Sequence, residues 1–346
     1  MPNFNLQSDQ LNCSSNIFLL KDLSVIIVNF RGGGKLKRCL DSLQAIADHR
    51  DSLEVIVVDN QSKDGSLEEM VLRYPHFVFV SNSGNNGFAN GCNLGAANSN
   101  GSTLLFLNPD TSANEAALSR MMQVVQKLPE YSIVSCSQRR EDGKMDRPYG
   151  RFLTLFTLTG WLRAINRFFT GRLDDSYRES KYGLLPDWVS GSVIMIRKED
   201  FTGLGEWDDD FWMYYEDVDL CRRARNRGGE VVMLTDVVIG HMHGGSSRSN
   251  QMVTVLTKTE VHISRHLYIA KHENSGIAFS MHLLLILNNM LIGLLPALLG
   301  VCFFFVKRLQ MGARIYFSLA NYYLKVIRSG IWLSERSVNY PKQKAK

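Results

Sequence analysis

Asn108-Pro109-Asp110 closes the apolar run Thr103–Leu107 and puts an acid at the C-terminal edge of a buried strand, where open α/β sheets gather their ligands. Hard cations such as Mg²⁺ or Mn²⁺ take oxygen ligands of this kind, and the diphosphate of a sugar nucleotide is an anion such a cation would bridge. The same tripeptide also makes an ordinary helix-capping turn, so its meaning depends on its company. Asp59 to Ser66 (Asp-Asn-Gln-Ser-Lys-Asp-Gly-Ser) ends a second apolar run. A carboxylate there can accept from a pyrimidine ring N–H, or simply serve a turn and a cap. Asn85 to Gly95 holds four Asn and three Gly. Its amides suit ribose or phosphate oxygens where small residues let the backbone come close; alternatively the stretch packs under the sheet.

Trp207 to Arg223 mixes aromatic residues with carboxylates, a composition that suits a sugar and a base for its hydroxyl. Acids at a helix start and arginines near its end also complement the helix dipole. Glu216, Asp217 and Asp219 cannot all face one pocket, because successive helical positions diverge by about 100°. His241, with His243 close behind, offers imidazole as a further ligand for a metal held by Asp110. Gly32-Gly33-Gly34-Lys35 fails as a phosphate loop, since Leu36 stands where a Walker Ser/Thr is needed and the third Gly of a dinucleotide fingerprint is missing.

The elements that must position these groups are legible from periodicity. Leu23–Val28, Leu53–Val58, Phe77–Val80 and Thr103–Leu107 are apolar runs without alternation, which predicts buried strands of a mainly parallel sheet covered on both faces. Leu36, Cys39, Leu40, Leu43 and Ile46 recur at helical spacing between the first two. Ser66-x-x-Glu69 reads as a capping box, and a small helix is expected within Gly84–Gly101. Beyond Asp110 the pattern predicts a helix over 114–127, a strand near Ile133, a less regular basic stretch over 139–186, a strand at Val193–Ile196, a helix over 217–227 and a strand at Glu230–Leu234.

The 346 residues, 45% hydrophobic and 21% charged, suffice for a sizeable core, and the net charge of +5 is unevenly spread. From Lys307 onward nine Lys or Arg face one acid, Glu335. Such a tail suits an anionic membrane surface, and no nucleic-acid motif argues for the other polyanion. Six scattered cysteines without CxxC spacing fit a reducing compartment, and the polar N-terminus lacks a signal-peptide layout. The expected location is the cytoplasmic face of the inner (plasma) membrane. Residues 274–306 carry no formal charge apart from any on His282, long enough for a bilayer core of about 30 Å. Asn288, Asn289, Gly293 and Pro296 interrupt the segment, so two short helices hinged near Gly293–Pro296 are expected to dip in and return, with a buried helical pair as the alternative. Ile315, Leu319, Tyr322, Tyr323, Val326 and Ile327 then predict an interfacial amphipathic helix.

In this order the segments resemble the family-2 glycosyltransferases of the GT-A fold, especially their bacterial rhamnosyltransferase-like branch, over roughly residues 22–250. The matching blocks are Val58-Asp59-Asn60 with Asp64-Gly65-Ser66, Asn86-Gly87-Phe88-Ala89, Asn93-Leu94-Gly95, Leu107 to Asp110, Gly191 with Arg197, Tyr215 to Leu220, and His241 with Gly244 and Ser246. The resemblance implies a Rossmann-like sheet flanked by helices. It divides the chain into an N-terminal extension (1–21), a catalytic domain (22–270, with nucleotide-sugar-binding half 22–110 and acceptor half 111–270) and a membrane-associated region (271–346). It implies that Asn29, Asp59, Asp64, Asn86, Gly87, Asn93 and Asn108 bind the nucleotide sugar, and that Asp110 with His241 holds Mg²⁺ or Mn²⁺, His243 being able to replace His241. Asp217 becomes the general base with Glu216 its rival, and Trp188, Gly191, Trp212 and Tyr215 line the acceptor site. Asn108 stands where many relatives have a first Asp, which leaves Asp110 as the carboxylate ligand. Cys221-Arg222-Arg223-Ala224-Arg225 replaces the Gln-x-x-Arg-Trp of processive synthases, so one sugar is expected per acceptor.

The expected activity is inverting transfer of L-rhamnose from dTDP-L-rhamnose to a polyprenyl-diphosphate-linked saccharide in cell-surface polysaccharide synthesis. UDP-galactofuranose, UDP-glucose or UDP-N-acetylglucosamine are alternative donors. A nucleotidyltransferase would need a Gly-rich basic loop after the first strand that Gly32–Lys35 does not supply, and acids at 59, 110 and 217 count against a non-enzymatic membrane scaffold.

Overall fold

The computed structural model describes residues 22–47, 53–170, 177–242 and 250–341. The expected N-terminal extension, His243, Gly244, Ser246 and the last lysines of the basic tail lie outside the described residues.

The first part of the described chain alternates strand and helix: β1 (Leu23–Asn29), α1 (Gly33–Ala47), β2 (Glu54–Asp59), α2 (Ser66–Arg73), β3 (Val78–Ser81), α3 (Phe88–Ala97) and β4 (Thr103–Leu107). The chain continues with β5 (Thr111–Ser112), α4 (Glu115–Lys127), β6 (Tyr131–Arg139), β7 (Tyr149–Gly150), a 3₁₀ turn at Leu155–Thr157 and α5 (Gly160–Thr170). There follow β8 (Arg178–Ser180), β9 (Gly183–Leu185), β10 (Trp188–Val189), β11 (Val193–Arg197), α6 (Lys198–Leu204), α7 (Glu216–Asn226) and β12 (Glu230–His241). Helices close the described chain: α8 (Gln251–His272), α9 (Ser275–Leu287), a π turn at Asn288–Ile292, α10 (Gly293–Cys302) and α11 (Lys307–Ser329).

Among the described residues the main sheet runs β3-β2-β1-β4-β11-β6-β12-β9-β8, with β5 paired to β12. β1 to β4 are mutually parallel, and β11 inserts antiparallel between β4 and β6, so the sheet is mixed. All seven residues of β1 and all five of β4 are buried, which is why neither alternates in polarity. Leu23, Val25 and Ile27 point into one layer with Leu36, Leu40 and Leu43 of α1 and Met121 and Val125 of α4. Ile26 and Val28 point the other way, into a layer with Ala89, Cys92 and Ala96 of α3 and Leu220 and Ala224 of α7. Each such fully buried aliphatic side chain stabilises the fold by roughly 1.5–3 kcal/mol. A Cβ on Gly95 would meet the Ile26 side chain at 2.4 Å, so the glycine of this Asn/Gly stretch lets α3 lie close on the sheet.

Three local expectations are corrected. No capping box forms at α2: the preceding Gly65 is left-handed, and Asp64 Oδ1 accepts from Ser66 N (3.1 Å) and Ser66 Oγ (2.6 Å). No reversal occurs at Gly293–Pro296, because the π turn carries one apolar helix of 28 residues from Ser275 to Cys302. The chain turns back at Phe303–Val306, and α11 packs on α10 where Gly300 meets Leu309 and Ala313. Nor does the apolar stripe of α11 face outward: Leu319, Tyr322, Tyr323 and Val326 are buried against Ile263 of α8, while Ile327 is 80% exposed. α8 runs unbroken through residue 270 and covers Phe211 and Val218 with Leu267 and Tyr268.

Candidate active site

β1, β2 and β4 end at one sheet edge, and the chain crosses from one side of β1 to the other between them, the place where such sheets hold ligands. Asn29 and Asp59 face each other across β1 and β2. Asn29 Nδ2 donates to Asp59 Oδ1 (2.8 Å) and Ser62 Oγ (3.1 Å), Asn29 Oδ1 accepts from Gly32 N (3.0 Å), and Asp59 Oδ2 accepts from Ser62 N (2.9 Å). Both side chains are buried and engaged by protein partners, so they shape the two loops rather than present open polar atoms.

Asn60 Nδ2 donates to Gly87 O, Asn82 Nδ2 to Asn60 Oδ1 and Asn90 Oδ1, and Asn86 Nδ2 to Asn82 Oδ1. Asn90 and Asn93 donate to the two oxygens of Asp209 at 3.0 and 2.9 Å, and Asn93 exchanges two further bonds with the Trp207 backbone. Asn93, expected to bind ligand, is therefore a brace between α3 and the acidic loop. Gly87 does permit a close backbone approach, but to protein: at φ +95° a Cβ would lie 2.1 Å from Trp212 O.

The acid expected to hold a cation lies beside its expected partner. His241 Nε2 is 3.2 Å from Asp110 Oδ1, and Met242 N donates to Asp110 O. Burial alone would raise the Asp110 carboxyl, but the His241 hydrogen bond, the His241 charge and Lys35 hold it below the ordinary carboxylate range. Gln138 Nε2 donates to Ser192 Oγ (2.8 Å), so Gln138 Oε1 is the acceptor for His241 Nδ1 at 2.7 Å. Nε2 then faces Asp110 either as the proton donor of an imidazolium or, when neutral, with a lone pair a cation would take. Among the described residues no third His, Cys, Asp or Glu joins them. One carboxylate and one imidazole are a donor set that would suit a divalent cation completed by ligands from outside the protein.

The 190–192 loop joins this pair to the acids of α7. Ser192 O accepts from Asn108 N (2.9 Å), and Gly191 N donates to Asp217 Oδ2 (2.9 Å). Asp217 Oδ1 accepts from Val218 N (2.8 Å). Tyr214 and Tyr215 precede the pair with φ of +71° and +69°, two successive left-handed non-glycine residues that store strain at the entrance to α7. Glu216 is 7% exposed, and its Oε2 has no hydrogen-bond partner among the described residues. Burial, then the neighbouring Asp217 charge, pushes the Glu216 carboxyl well above its ordinary value. Burial also raises Asp217, against the pull of the Gly191 and Val218 N–H groups.

Residues 24–182 match the model of glycosyl transferase family 2. This chain carries a family-2 glycosyltransferase domain. A hexosyltransferase of low-salt glycan biosynthesis, Agl10 of Haloferax volcanii, is 29% identical over 222 residues, 62% of this chain and 64% of that protein. The N-acetylglucosaminyl-diphospho-decaprenol L-rhamnosyltransferase of Mycobacterium tuberculosis is 25% identical over 236 residues, 63% of this chain and 75% of that one. The fold is GT-A, like that of the Pyrobaculum calidifontis mannosyltransferase PcManGT solved with GDP-Man and Mn²⁺ (TM-score 0.50, 16% identity, 88% of each chain covered).

The remaining acids of the Trp207–Arg223 cluster are engaged by protein partners. Asp219 takes Arg223 and His272, while Asp208 and Asp210 share Lys271. Trp212, expected on the acceptor side, is 4% exposed, with its Nε1 on Asn85 O and Arg336 stacked on its ring at 5.2 Å. Tyr215 is half-buried, and its OH accepts from Arg265 Nε (2.9 Å). Trp188 is half-buried between Gly150 and Phe152, with Nε1 on Arg151 O. Asp64, Asn86 and Asn108 keep accessible surface. Sequence reasoning missed Gln138 and Ser192; Gln138, fully buried, stands near the end of a strand that also carries Ser132, Ser135 and Ser137, so its polarity gave little signal.

Proposed function

We propose that the protein is an inverting, metal-dependent transferase that moves one L-rhamnosyl unit from dTDP-L-rhamnose to a polyprenyl-diphosphate-linked saccharide. The observation that carries the reading is the short path from Asp110 and His241 through Gln138, Ser192 and Gly191 to Asp217. It sets the Asp110–His241 pair and the half-buried Asp217 carboxylate on two sides of one loop. Asp110 and His241 would hold Mg²⁺ or Mn²⁺, which when bound supplies positive charge against the leaving diphosphate. Lys35, whose charge already reaches Asp110, adds to it. Asp217 accepts the proton of the acceptor hydroxyl as its oxygen bonds to the anomeric carbon and the carbon–oxygen bond to the diphosphate breaks, with inversion. The Gly191 and Val218 N–H groups keep the Asp217 oxygens oriented.

The names of the relatives supply the donor and acceptor classes: a hexosyltransferase, and a rhamnosyltransferase acting on a diphospho-decaprenol. A lipid-linked acceptor agrees with the helix Ser275–Cys302, whose mean hydropathy is 2.1 and whose most apolar window is only 22% buried. At about 1.5 Å per residue it is long enough to cross a bilayer. Both its ends, however, are tied to α8: Asn274 follows α8 directly, and Gln251 Nε2 at the start of α8 donates to Gln310 Oε1 (2.9 Å) just beyond the turn. That arrangement favours a helix lying in the cytoplasmic interface over a crossing.

A panel of labelled nucleotide sugars with a purified polyprenyl-diphosphate-linked acceptor, read by product mass and anomeric configuration, tests the proposal. Rhamnosyl transfer with inversion and loss of turnover on chelation is expected. Transfer of another sugar corrects the donor, and retention of configuration removes Asp217 as the base.

A further inference from the structure

We propose that α5 is a membrane-docking helix whose Trp161, Ile165, Phe168 and Phe169 enter the interfacial layer of an anionic bilayer beside the α9–α10 face. The inference rests on the membrane reading above. The four residues stand at i, i+4, i+7 and i+8, one stripe of a helix. Such a stripe in a soluble fold is buried; here it is 40%, 47%, 83% and 80% exposed, and no residue of α5 is buried. Arg163 and Arg167, both exposed, stand on the side of α5 away from the stripe. Leu162, at the edge of the stripe, packs with Leu158, Met281 and Leu285 and fixes α5 against α9.

The stripe is continuous with the apolar helix. Trp161 Nε1 donates to Asn288 Oδ1 (3.1 Å), among Leu287, Leu291 and Ile292, which are 42%, 67% and 59% exposed. Further on, exposed Phe303, Phe304 and Phe305 run directly into exposed Lys307 and Arg308. A broad apolar face rimmed by cations matches the interfacial layer of an anionic membrane, where apolar side chains meet the acyl boundary and basic ones the phosphates. Upstream, Arg222 of α7 stacks on Phe152 at 4.8 Å, and Phe152 N donates to Asp187 Oδ2 beside Trp188. Seating α5 on lipid therefore brings the acceptor edge of the site to the surface that carries a lipid-linked substrate.

The test uses the full chain and flotation with phosphatidylcholine vesicles, with and without phosphatidylglycerol. Phe168→Ser with Phe169→Ser, at positions exposed enough to leave folding intact, is expected to lower partitioning roughly tenfold per phenylalanine. Lys307→Gln with Arg308→Gln lowers it on the anionic vesicles alone. Among the described residues Trp161 is the exposed tryptophan, so brominated lipids should quench fluorescence in the wild type and much less in Trp161→Phe. If the phenylalanine variant partitions like wild type while Leu291→Ser with Leu295→Ser does not, α5 is not a docking element and the membrane reading stands. If the wild-type chain does not float, both fall. A changed oligomeric state with unchanged partitioning makes the stripe a protein–protein face and overturns the proposal.

Discussion

Replacing Glu216 by Gln and Asp217 by Asn, one at a time, separates a proton acceptor from its buried neighbour. Asp217 receives two backbone N–H bonds, from Gly191 (2.9 Å) and Val218 (2.8 Å), and these favour its ionised form. Glu216 Oε2 receives none among the described residues, and burial with the adjacent charge keeps that carboxyl neutral well above the usual range. The pair therefore places its negative charge preferentially on Asp217. Glu216→Gln exchanges a neutral acid for a neutral amide of the same shape, and turnover should stay within about tenfold of wild type. Asp217→Asn removes the basic oxygen, an expected loss of about 10²–10⁴-fold, or roughly 3–5 kcal/mol of transition-state stabilisation. The new amide also turns a donor toward one of the two N–H groups, a local cost of about 1–3 kcal/mol that a thermal melt will register. Initial rates at saturating donor and acceptor, with calorimetric nucleotide binding alongside, distinguish chemistry from folding. Because burial raises Asp217, the wild-type rate should fall with decreasing pH through a value above the ordinary 3.8. Equal or greater loss in Glu216→Gln than in Asp217→Asn would refute the reasoning and transfer the base to Glu216.

Asp110→Ala should abolish the Mn²⁺ dependence of nucleotide affinity while leaving the melting temperature near wild type; persistence of that dependence removes Asp110 from the metal site. Gln138→Leu, which leaves His241 Nδ1 without its acceptor at 2.7 Å, should weaken metal binding about 10–100-fold in a titration with Mn²⁺. Gly87→Ala forces a Cβ to within 2.1 Å of Trp212 O at a φ of +95° and should cost more than about 3 kcal/mol in urea unfolding. Glu260, 3% exposed, has its pKa raised by burial from 4.5 to about 7, so the folded state loses stability as pH rises between those values. Glu260→Gln should gain about 3 kcal/mol at pH 8 and nothing at pH 4; an equal gain at both would show that the charge is not the cause.

The strands that carry the site were legible because their burial on both faces leaves unbroken apolar runs: Thr103–Leu107 is read from sequence with the observed bounds. The helix start at Asn114 was legible too, since its side chain accepts from Ala117 N as the capping rule requires. Pairings across the chain were not. Asn93 resembles a ligand-binding amide in sequence, but its partners lie more than a hundred residues away at Trp207 and Asp209. The stripe Leu319–Val326 has the periodicity of an interfacial helix, and periodicity alone does not distinguish a lipid surface from the flank of α8.

The same long-range pairing decides how the C-terminal region can be studied. Arg336 stacks on Trp212, Ser337 Oγ donates to Asp209 O (3.2 Å), Asn339 Nδ2 donates to Asp210 Oδ1 (2.9 Å), and Trp332 stacks on His266 and His282. These contacts brace the acidic loop that leads into Tyr214, Tyr215 and the Glu216–Asp217 pair, two of whose residues are held in left-handed backbone. Strain of that kind persists only where surrounding structure over-determines it. Deleting residues 274–346 would remove the brace together with the apolar helix and uncover Ile263 and Ile269 of α8. A truncated protein that loses both membrane binding and activity would then report on folding as much as on lipid. Substitutions at Leu291, Leu295, Phe168 and Phe169, each exposed and remote from the brace, separate the two.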